Sequence, residues 1–300
     1  MARRSQAELN DFLQVAPEVA GALEAGRPVV ALETSIVGQG LPPPHNLRAA
    51  RGCEAAIREA GAVPATVAVL EGRLKVGLND EELQSLASGV AVKVSSRDLG
   101  PAIAGNRLGA TTVAASVRAA ALAGIRFFAT GGIGGVHRGH PEDESADLEE
   151  IARSPVAVFC AGAKIILDLR LTLERLESLA VAVLGYTTDE FPAFYTSRSG
   201  CAVSARVEDA TDTARVLRAA WSTGARGVVV AIPPPYDLEG AEEMARRAAG
   251  DLGDLSGAAV TPRLLARMAE LSEGRSLDLN VELVVNNARV AAQVAKEFFG

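Results

Sequence analysis

The sequence predicts an α/β fold in one large domain spanning residues 1–300. Short apolar runs bounded by turn residues recur along the chain and alternate with helical stretches, the pattern of strands buried between helices. Several of these runs end on glycines, hydroxyls or charged side chains, and in open α/β sheets ligands bind just beyond the strand ends. No linker-like Ser/Pro/Gly tract divides the 300 residues, a length that one large domain can reach.

Composition narrows the class. The chain is 48% hydrophobic but only 4% aromatic, with 29 glycines, which suits close packing of small side chains between helices and a sheet. No apolar run approaches the ~20 residues of a membrane helix. Met1 to Ser5 leads into polar residues rather than a hydrophobic core, so no secretory leader is expected. Cys53, Cys160 and Cys201 are scattered without metal-ligand spacing, which points to the reducing cytoplasm. A formal charge of −7 provides no basic stripe for nucleic acid. It leaves room for a small anionic ligand held by local cations.

In chain order, a helix is expected from Pro17 to Ala25, with proline suited to its first position. A buried strand from Pro28 to Glu33 then ends on a carboxylate. From pattern alone Glu33 reads as a solvated strand end or the partner of a nearby cation, as well as a functional acid. Thr34 to Pro44, with Gly38, Gly40 and consecutive prolines, is a shaped loop, and a helix resumes near His45. Ala65–Leu70 and Arg73–Gly77 flank Glu71-Gly72 as a hairpin, expected at the edge of the main sheet. Asn79 with Glu82 makes a helix-opening capping box. Val90-Ala91-Val92 reads as a short strand delivering Lys93, Ser95, Ser96 and Arg97. That set suits a phosphate and equally suits an exposed charged loop. Gly109 to Val113 introduces a helix of small residues through Ala123 that Gly124 stops.

The centre of the chain is the richest stretch. Ile125–Ala129 reads as a buried strand and Thr130–Gly139 as a glycine loop whose backbone must approach something closely. An acidic segment follows from His140 to Asp147, and a second strand, Val156–Cys160, delivers Ala161-Gly162-Ala163-Lys164. From pattern alone Lys164 is a snorkelling surface lysine. Beyond it come a helix from Thr172 to Leu179, a strand from Val181 to Tyr186, and a loop from Thr187 to Gly200. Phe191, Phe194 and Tyr195 in that loop read as core filling. A helix from Asp209 to Ala225, a strand from Gly227 to Ile232 cut short by three prolines, and a helix from Glu239 to Ala249 precede the last long helix, Ser276 to Phe299. Asn286-Asn287 lies on an otherwise apolar path in that helix. Two adjacent amides are costly there unless bonded, so at least one is expected to face a polar site.

The familiar phosphate motifs fail. His137 stands where a dinucleotide fingerprint needs its third glycine, and no Gly-Lys-Ser/Thr follows as in a nucleoside triphosphatase. His137 and His140 lack the further ligands of a zinc site. Asp143 alone can hold a hard divalent ion if waters and substrate oxygens complete the shell.

Taken together, several blocks carry a resemblance. They are Val30-Ala31-Leu32-Glu33, Val63-Pro64-Ala65-Thr66, Lys75-Val76-Gly77-Leu78, Lys93-Val94-Ser95, Gly109 to Ala114, Thr130 to Gly139, Ser145 to Leu148, Cys160 to Lys164, Phe191 to Phe194 and Asn286-Asn287-Ala288. In this combination, which runs from about Val29 to Ala295, the chain resembles the pseudouridine-5'-phosphate glycosidase family, also called the indigoidine synthase A-like family. The resemblance implies a three-layer α/β/α sandwich around a mostly parallel central sheet, a cytoplasmic homotrimer, one manganese ion (Mn2+) per subunit, and reversible cleavage of pseudouridine 5'-phosphate to uracil and ribose 5-phosphate. It puts the nucleophile on Lys164 and the proton donor on Glu33. Substrate-binding positions fall on Lys93, Val113 and the triplet Ser145, Ala146 and Asp147, and the metal ligand on Asp143. Thr130, His137 and Asn287 lie in matching motifs and are assigned to the pocket. The chain departs from the common pattern in a shorter acidic segment, in Glu144 where an apolar residue is usual, and in Thr34-Ser35 and Ser96.

The implied chemistry suits these residue types. A carbon–carbon glycosidic bond has no heteroatom leaving group to protonate, so the two-carboxylate scheme for acetals does not apply. If the ribose ring opens, a lysine amine can replace the ring oxygen at C1', and its nitrogen lone pair then drives cleavage to a C1' imine while Glu33 moves the required proton. Two rival functions remain on the sequence alone: another imine-forming lyase or aldolase acting on a different sugar phosphate, and a non-catalytic nucleotide-binding protein.

Overall fold

The computed structural model describes residues 11–88, 90–252 and 260–300. Met1–Ser5, read above for a leader, lies outside them. The strands are β1 (Leu13–Val15), β2 (Val29–Leu32), β3 (Val63–Leu70), β4 (Arg73–Val76), β5 (Val92–Val94), β6 (Gly109–Thr111) and β7 (Phe127–Ala129). Then come β8 (Val136–His137), β9 (His140–Glu144), β10 (Ala157–Cys160), β11 (Leu167–Asp168), β12 (Ala182–Tyr186), β13 (Ala205–Val207) and β14 (Val228–Ala231). Eleven of them form one sheet in the order β1-β4-β3-β2-β7-β10-β14-β12-β13, with β6 also on β3 and β5 beyond it. Every pairing is parallel except β3 with β4 and β3 with β6.

The central strands read VVAL, FFA, AVFC and VVVA, and every residue in them is buried. Uninterrupted apolar runs of this kind belong to parallel strands covered on both faces. Helices supply that cover on both sides of the sheet. Arg275–Phe299 packs on His45–Glu59, on Ala210–Ser222 and on β2, β7 and β10. Val113–Ala123 packs on Ala146–Arg153 and on β2, β3 and β7. The mostly parallel sheet with helices on both faces is the expected architecture. A continuous core runs from Leu13 to Ala295, centred on Phe127, Phe128 and Phe159. Phe191, Phe194 and Tyr195 are buried in it, as expected for core filling.

Several boundaries and roles differ from the sequence expectation. The strands β1, β6 and β13 were not foreseen, because three residues each is too short to register a period. The β3–β4 hairpin is not at the edge, since β3 also pairs with β2 and β6 while β1 closes the outside of β4. Val90 is 73% exposed, and the expected strand begins only at Val92, so Lys93 lies within β5 rather than beyond it. The acidic segment folds as β9, paired antiparallel with β8 in a small sheet of order β11-β8-β9. The Asn79 capping box forms in full, with Asn79 Oδ1 accepting from the Glu82 amide at 2.9 Å and Glu82 Oε2 accepting from the Asn79 amide at 3.0 Å. Gly124 ends its helix in the left-handed conformation, φ 81°.

Candidate active site

Beyond the carboxyl ends of β2, β5, β7 and β10 the loops enclose a cleft of about 400 Å³. A hydroxyl network sets its floor. Thr34 Oγ1 donates to the Val67 carbonyl at 2.7 Å and accepts from the Thr111 amide at 2.9 Å, and Thr111 Oγ1 donates to the same carbonyl at 2.6 Å. These bonds tie the ends of β2 and β6 to β3, which fixes Glu33 and the start of the helix at Val113 relative to each other.

The glycine loop is the second support. Ile133 donates to the Gly162 carbonyl at 3.0 Å and Ala161 to the Gly131 carbonyl at 2.9 Å, so the chain after β7 and the chain after β10 continue side by side past the sheet. Gly162 has φ +77°, and a Cβ there would land on the Pro192 carbonyl. A Cβ at Gly134 would strike Ser145, and one at Gly135 would strike Thr172. The close approach expected of this loop is therefore made by its own backbone to neighbouring chain. Its result is to deliver Lys164 into the cleft opposite Glu33.

Nine of the expected site residues line this one cleft: Glu33, Lys93, Val113, His137, Asp143, Ser145, Ala146, Asp147 and Lys164. Two do not. Thr130 is buried behind Glu33, and Asn287 is buried behind Thr130, donating from Nδ2 to the Thr130 carbonyl at 2.8 Å. Asn287 satisfies the expectation that one of the paired asparagines faces polar groups, but those groups are backbone carbonyls outside the cleft. Ser95 and Arg97, offered with Lys93 as a phosphate set, also line it, as do Ser35, Gln39 and Thr112, which had not been assigned to the site from sequence. Of these three, only Ser35 carried a usable signal, a hydroxyl two residues past an acid at a strand end.

Electrostatics divide the polar groups. Glu33 meets the cleft but is enclosed by protein, and this burial raises its carboxyl above the usual range. Hydroxyl bonds from Ser35 and Thr130 and the charge of Lys164 pull the other way, and Asp147 adds to the rise. Lys93 is held below the ordinary lysine value, first by burial and then by the charge of Lys164. Asp147 is 6% exposed and accepts from two backbone amides, Ala114 to Oδ1 at 2.9 Å and Gly134 to Oδ2 at 2.8 Å. Ser145 caps the helix that follows it, accepting from the Asp147 amide at 3.2 Å. At the mouth, His137 Nδ1 lies 3.0 Å from the Asp143 carbonyl and 3.1 Å from Asp143 Oδ2.

Among the described residues no group of three or more His, Cys, Asp or Glu side chains is placed to hold a metal. The half-exposed Asp143 carboxylate, lining the cleft, fits a hard divalent ion whose remaining ligands are water and substrate oxygens. Among the described residues no helix is long and apolar enough to cross a membrane.

Comparison with known proteins gives a consistent outcome. A family model described as indigoidine synthase A like protein matches residues 18–297. A Deinococcus radiodurans protein named pseudouridine-5'-phosphate glycosidase is 52% identical over 304 residues, spanning 98% of this chain and 97% of that protein. A protein of the same name from Caldanaerobacter subterraneus subsp. tengcongensis is 49% identical and spans 96% of this chain and 97% of its own length. Among solved structures, the prealnumycin C-glycosynthase AlnA in complex with ribulose 5-phosphate is 38% identical, with a TM-score of 0.86 over 96% of this chain and 97% of that one. An indigoidine synthase A-like protein from Thermotoga maritima is 29% identical, with a TM-score of 0.88 over 96% of this chain and 97% of its own.

Proposed function

Because the chain belongs to the indigoidine synthase A like family, we propose that it catalyses reversible cleavage of the carbon–carbon glycosidic bond of pseudouridine 5'-phosphate, giving uracil and ribose 5-phosphate. One observation carries this reading beyond the relatives' names. Glu33 and Lys164, from the ends of two neighbouring parts of the sheet, meet in one cleft that also holds Lys93. An acid, an amine and a cation are the groups that the chemistry requires.

In the proposed reaction the neutral Lys164 amine bonds to C1', and the ring oxygen leaves and takes a proton. The C1'–C5 bond then breaks, its electron pair going to uracil C5, where a proton replaces the sugar. Water hydrolyses the remaining imine and ribose 5-phosphate departs. Glu33 is the proton donor, and burial favours its protonated form. Lys93 binds the phosphate, whose negative charge supplies what its buried ammonium lacks. A manganese ion held by Asp143 would add positive charge at the mouth. Homotrimeric assembly and a cytoplasmic location belong to the same proposal.

The C-glycosynthase relative, complexed with ribulose 5-phosphate, favours a second reading in which the same groups join a five-carbon sugar phosphate to a different carbon acceptor. Uracil release from pseudouridine 5'-phosphate, followed by chromatography, separates the two. Turnover of pseudouridine 5'-phosphate, with none of uridine 5'-phosphate or free pseudouridine, is expected. No uracil from pseudouridine 5'-phosphate, and no product from uracil with ribose 5-phosphate, contradicts the proposal.

A further inference from the structure

We propose that Thr130 and Ser35 are positioning residues that place the Glu33 proton on the cleft-side oxygen of its carboxyl group. The inference rests on the reading of Glu33 as proton donor. Two hydroxyls hold this carboxyl, one on each oxygen: Thr130 Oγ1 donates to Oε1 and Ser35 Oγ to Oε2. Their surroundings differ. Ser35 lines the cleft, whereas Thr130 is 1% exposed and lies behind it.

Thr130 is held on both sides. Its amide donates to the Phe159 carbonyl at 3.0 Å, and its own carbonyl accepts from Asn287 Nδ2 at 2.8 Å. The strand β10 and the long C-terminal helix therefore fix the hydroxyl that meets Oε1. An oxygen that already accepts a hydrogen bond from a fixed donor is the poorer place for the acid proton, so the proton resides on Oε2. There Ser35 Oγ can accept it and pass another on, or the substrate can take it directly. In that transfer the Oε2–H bond breaks and its electron pair stays on Oε2. The resulting carboxylate keeps one hydroxyl donor on each oxygen.

This arrangement accounts for two motif residues, Thr130 and Asn287, that do not reach the cleft. Both hydroxyls stabilise the charged form of Glu33, as does Lys164, against burial and the charge of Asp147. Lys93 and Cys53 also feel the Glu33 charge. Loss of either hydroxyl should therefore raise the pH at which Glu33 gives up its proton.

The test is a pH profile of kcat and KM for uracil release from pseudouridine 5'-phosphate by Thr130→Val, Thr130→Ser, Ser35→Ala and Glu33→Gln, with thermal unfolding as the check on folding. Thr130→Val is expected to lower kcat about tenfold or more, leave KM in place, and move the alkaline limb to higher pH. Thr130→Ser should restore both. Ser35→Ala should move the limb in the same direction, and it carries the test if Thr130→Val fails to fold. An inactive Glu33→Gln alongside an unmoved limb in both hydroxyl variants overturns the positioning role alone. Full activity in Glu33→Gln instead overturns the donor reading on which it rests.

Discussion

Asp147→Asn replaces one oxygen with an amide nitrogen and should loosen the cleft from behind. In the wild-type chain each carboxylate oxygen accepts a backbone N–H, Ala114 at 2.9 Å and Gly134 at 2.8 Å, with the side chain almost fully buried. Ala114 lies in the first turn of the helix Val113–Ala123, where a negative charge is favoured by the helix dipole. Asparagine can accept only one of the two bonds and turns its NH2 group against the other N–H, leaving a buried donor unpaired. A hydrogen bond to a charged group contributes roughly 1.5–3 kcal/mol, and an unpaired buried donor costs about 1–3 kcal/mol. Because these overlap, a net loss of about 2–4 kcal/mol is expected, a fall in Tm of roughly 3–6 °C for a chain of this size. The assay is thermal unfolding beside steady-state kinetics, and KM should rise as well because Val113 and Ser145 shift with the loosened loops. An unchanged Tm with a raised KM would refute the reasoning, since it would mean that the carboxylate holds the substrate rather than the two amides.

The remaining expectations concern single parts of the site and fold. Lys93→Ala should raise KM roughly ten- to hundredfold with kcat nearly retained, as expected for loss of a charge-assisted bond to the phosphate; an unchanged KM in the folded variant removes that role. Asp143→Ala should weaken activation by added manganese while leaving Tm in place, because this carboxylate is half exposed; full activity of chelator-treated wild type without added metal contradicts a metal role. Asn79→Ala removes the side-chain half of a capping box remote from the cleft, the bond from the Glu82 amide to Asn79 Oδ1, and keeps the backbone N–H that donates to Glu82 Oε2. It should cost about 1 kcal/mol in denaturant unfolding and leave kcat/KM unchanged.

The residues showed the fold where runs were long enough to carry a period. The apolar strands ending at Leu32, Ala129, Cys160 and Ala231 were legible because burial on both faces makes them uniformly apolar. β1, β6 and β13 were not legible, being short and defined by pairing with distant strands rather than by their own composition. The site divided in the same way. Glu33 and Lys164 stood out as polar groups at strand ends, but from pattern alone each had an ordinary surface reading, and motif resemblance was needed to choose. That resemblance named Thr130 and Asn287 as pocket residues. The structure puts them one and two steps behind the acid, a distinction that depends on side-chain direction and leaves no mark in spacing. Ser35 carried a signal in its spacing, a hydroxyl two residues past the acid, but the return of that hydroxyl onto Glu33 depends on the turn in which Thr34 bonds to Thr111.

The proposed imine is tested most directly by borohydride reduction in the presence of ribose 5-phosphate, followed by peptide mass spectrometry. Wild type should gain the mass of the reduced sugar phosphate on Lys164, and Lys164→Ala should lose both trapping and turnover. Glu33→Gln should lose turnover yet still trap the sugar, because condensation of the lysine with the aldehyde of ribose 5-phosphate makes and breaks no carbon–carbon bond. Trapped sugar on Lys93 or any other lysine, or robust turnover in Lys164→Ala, would contradict the assignment of Lys164 as nucleophile.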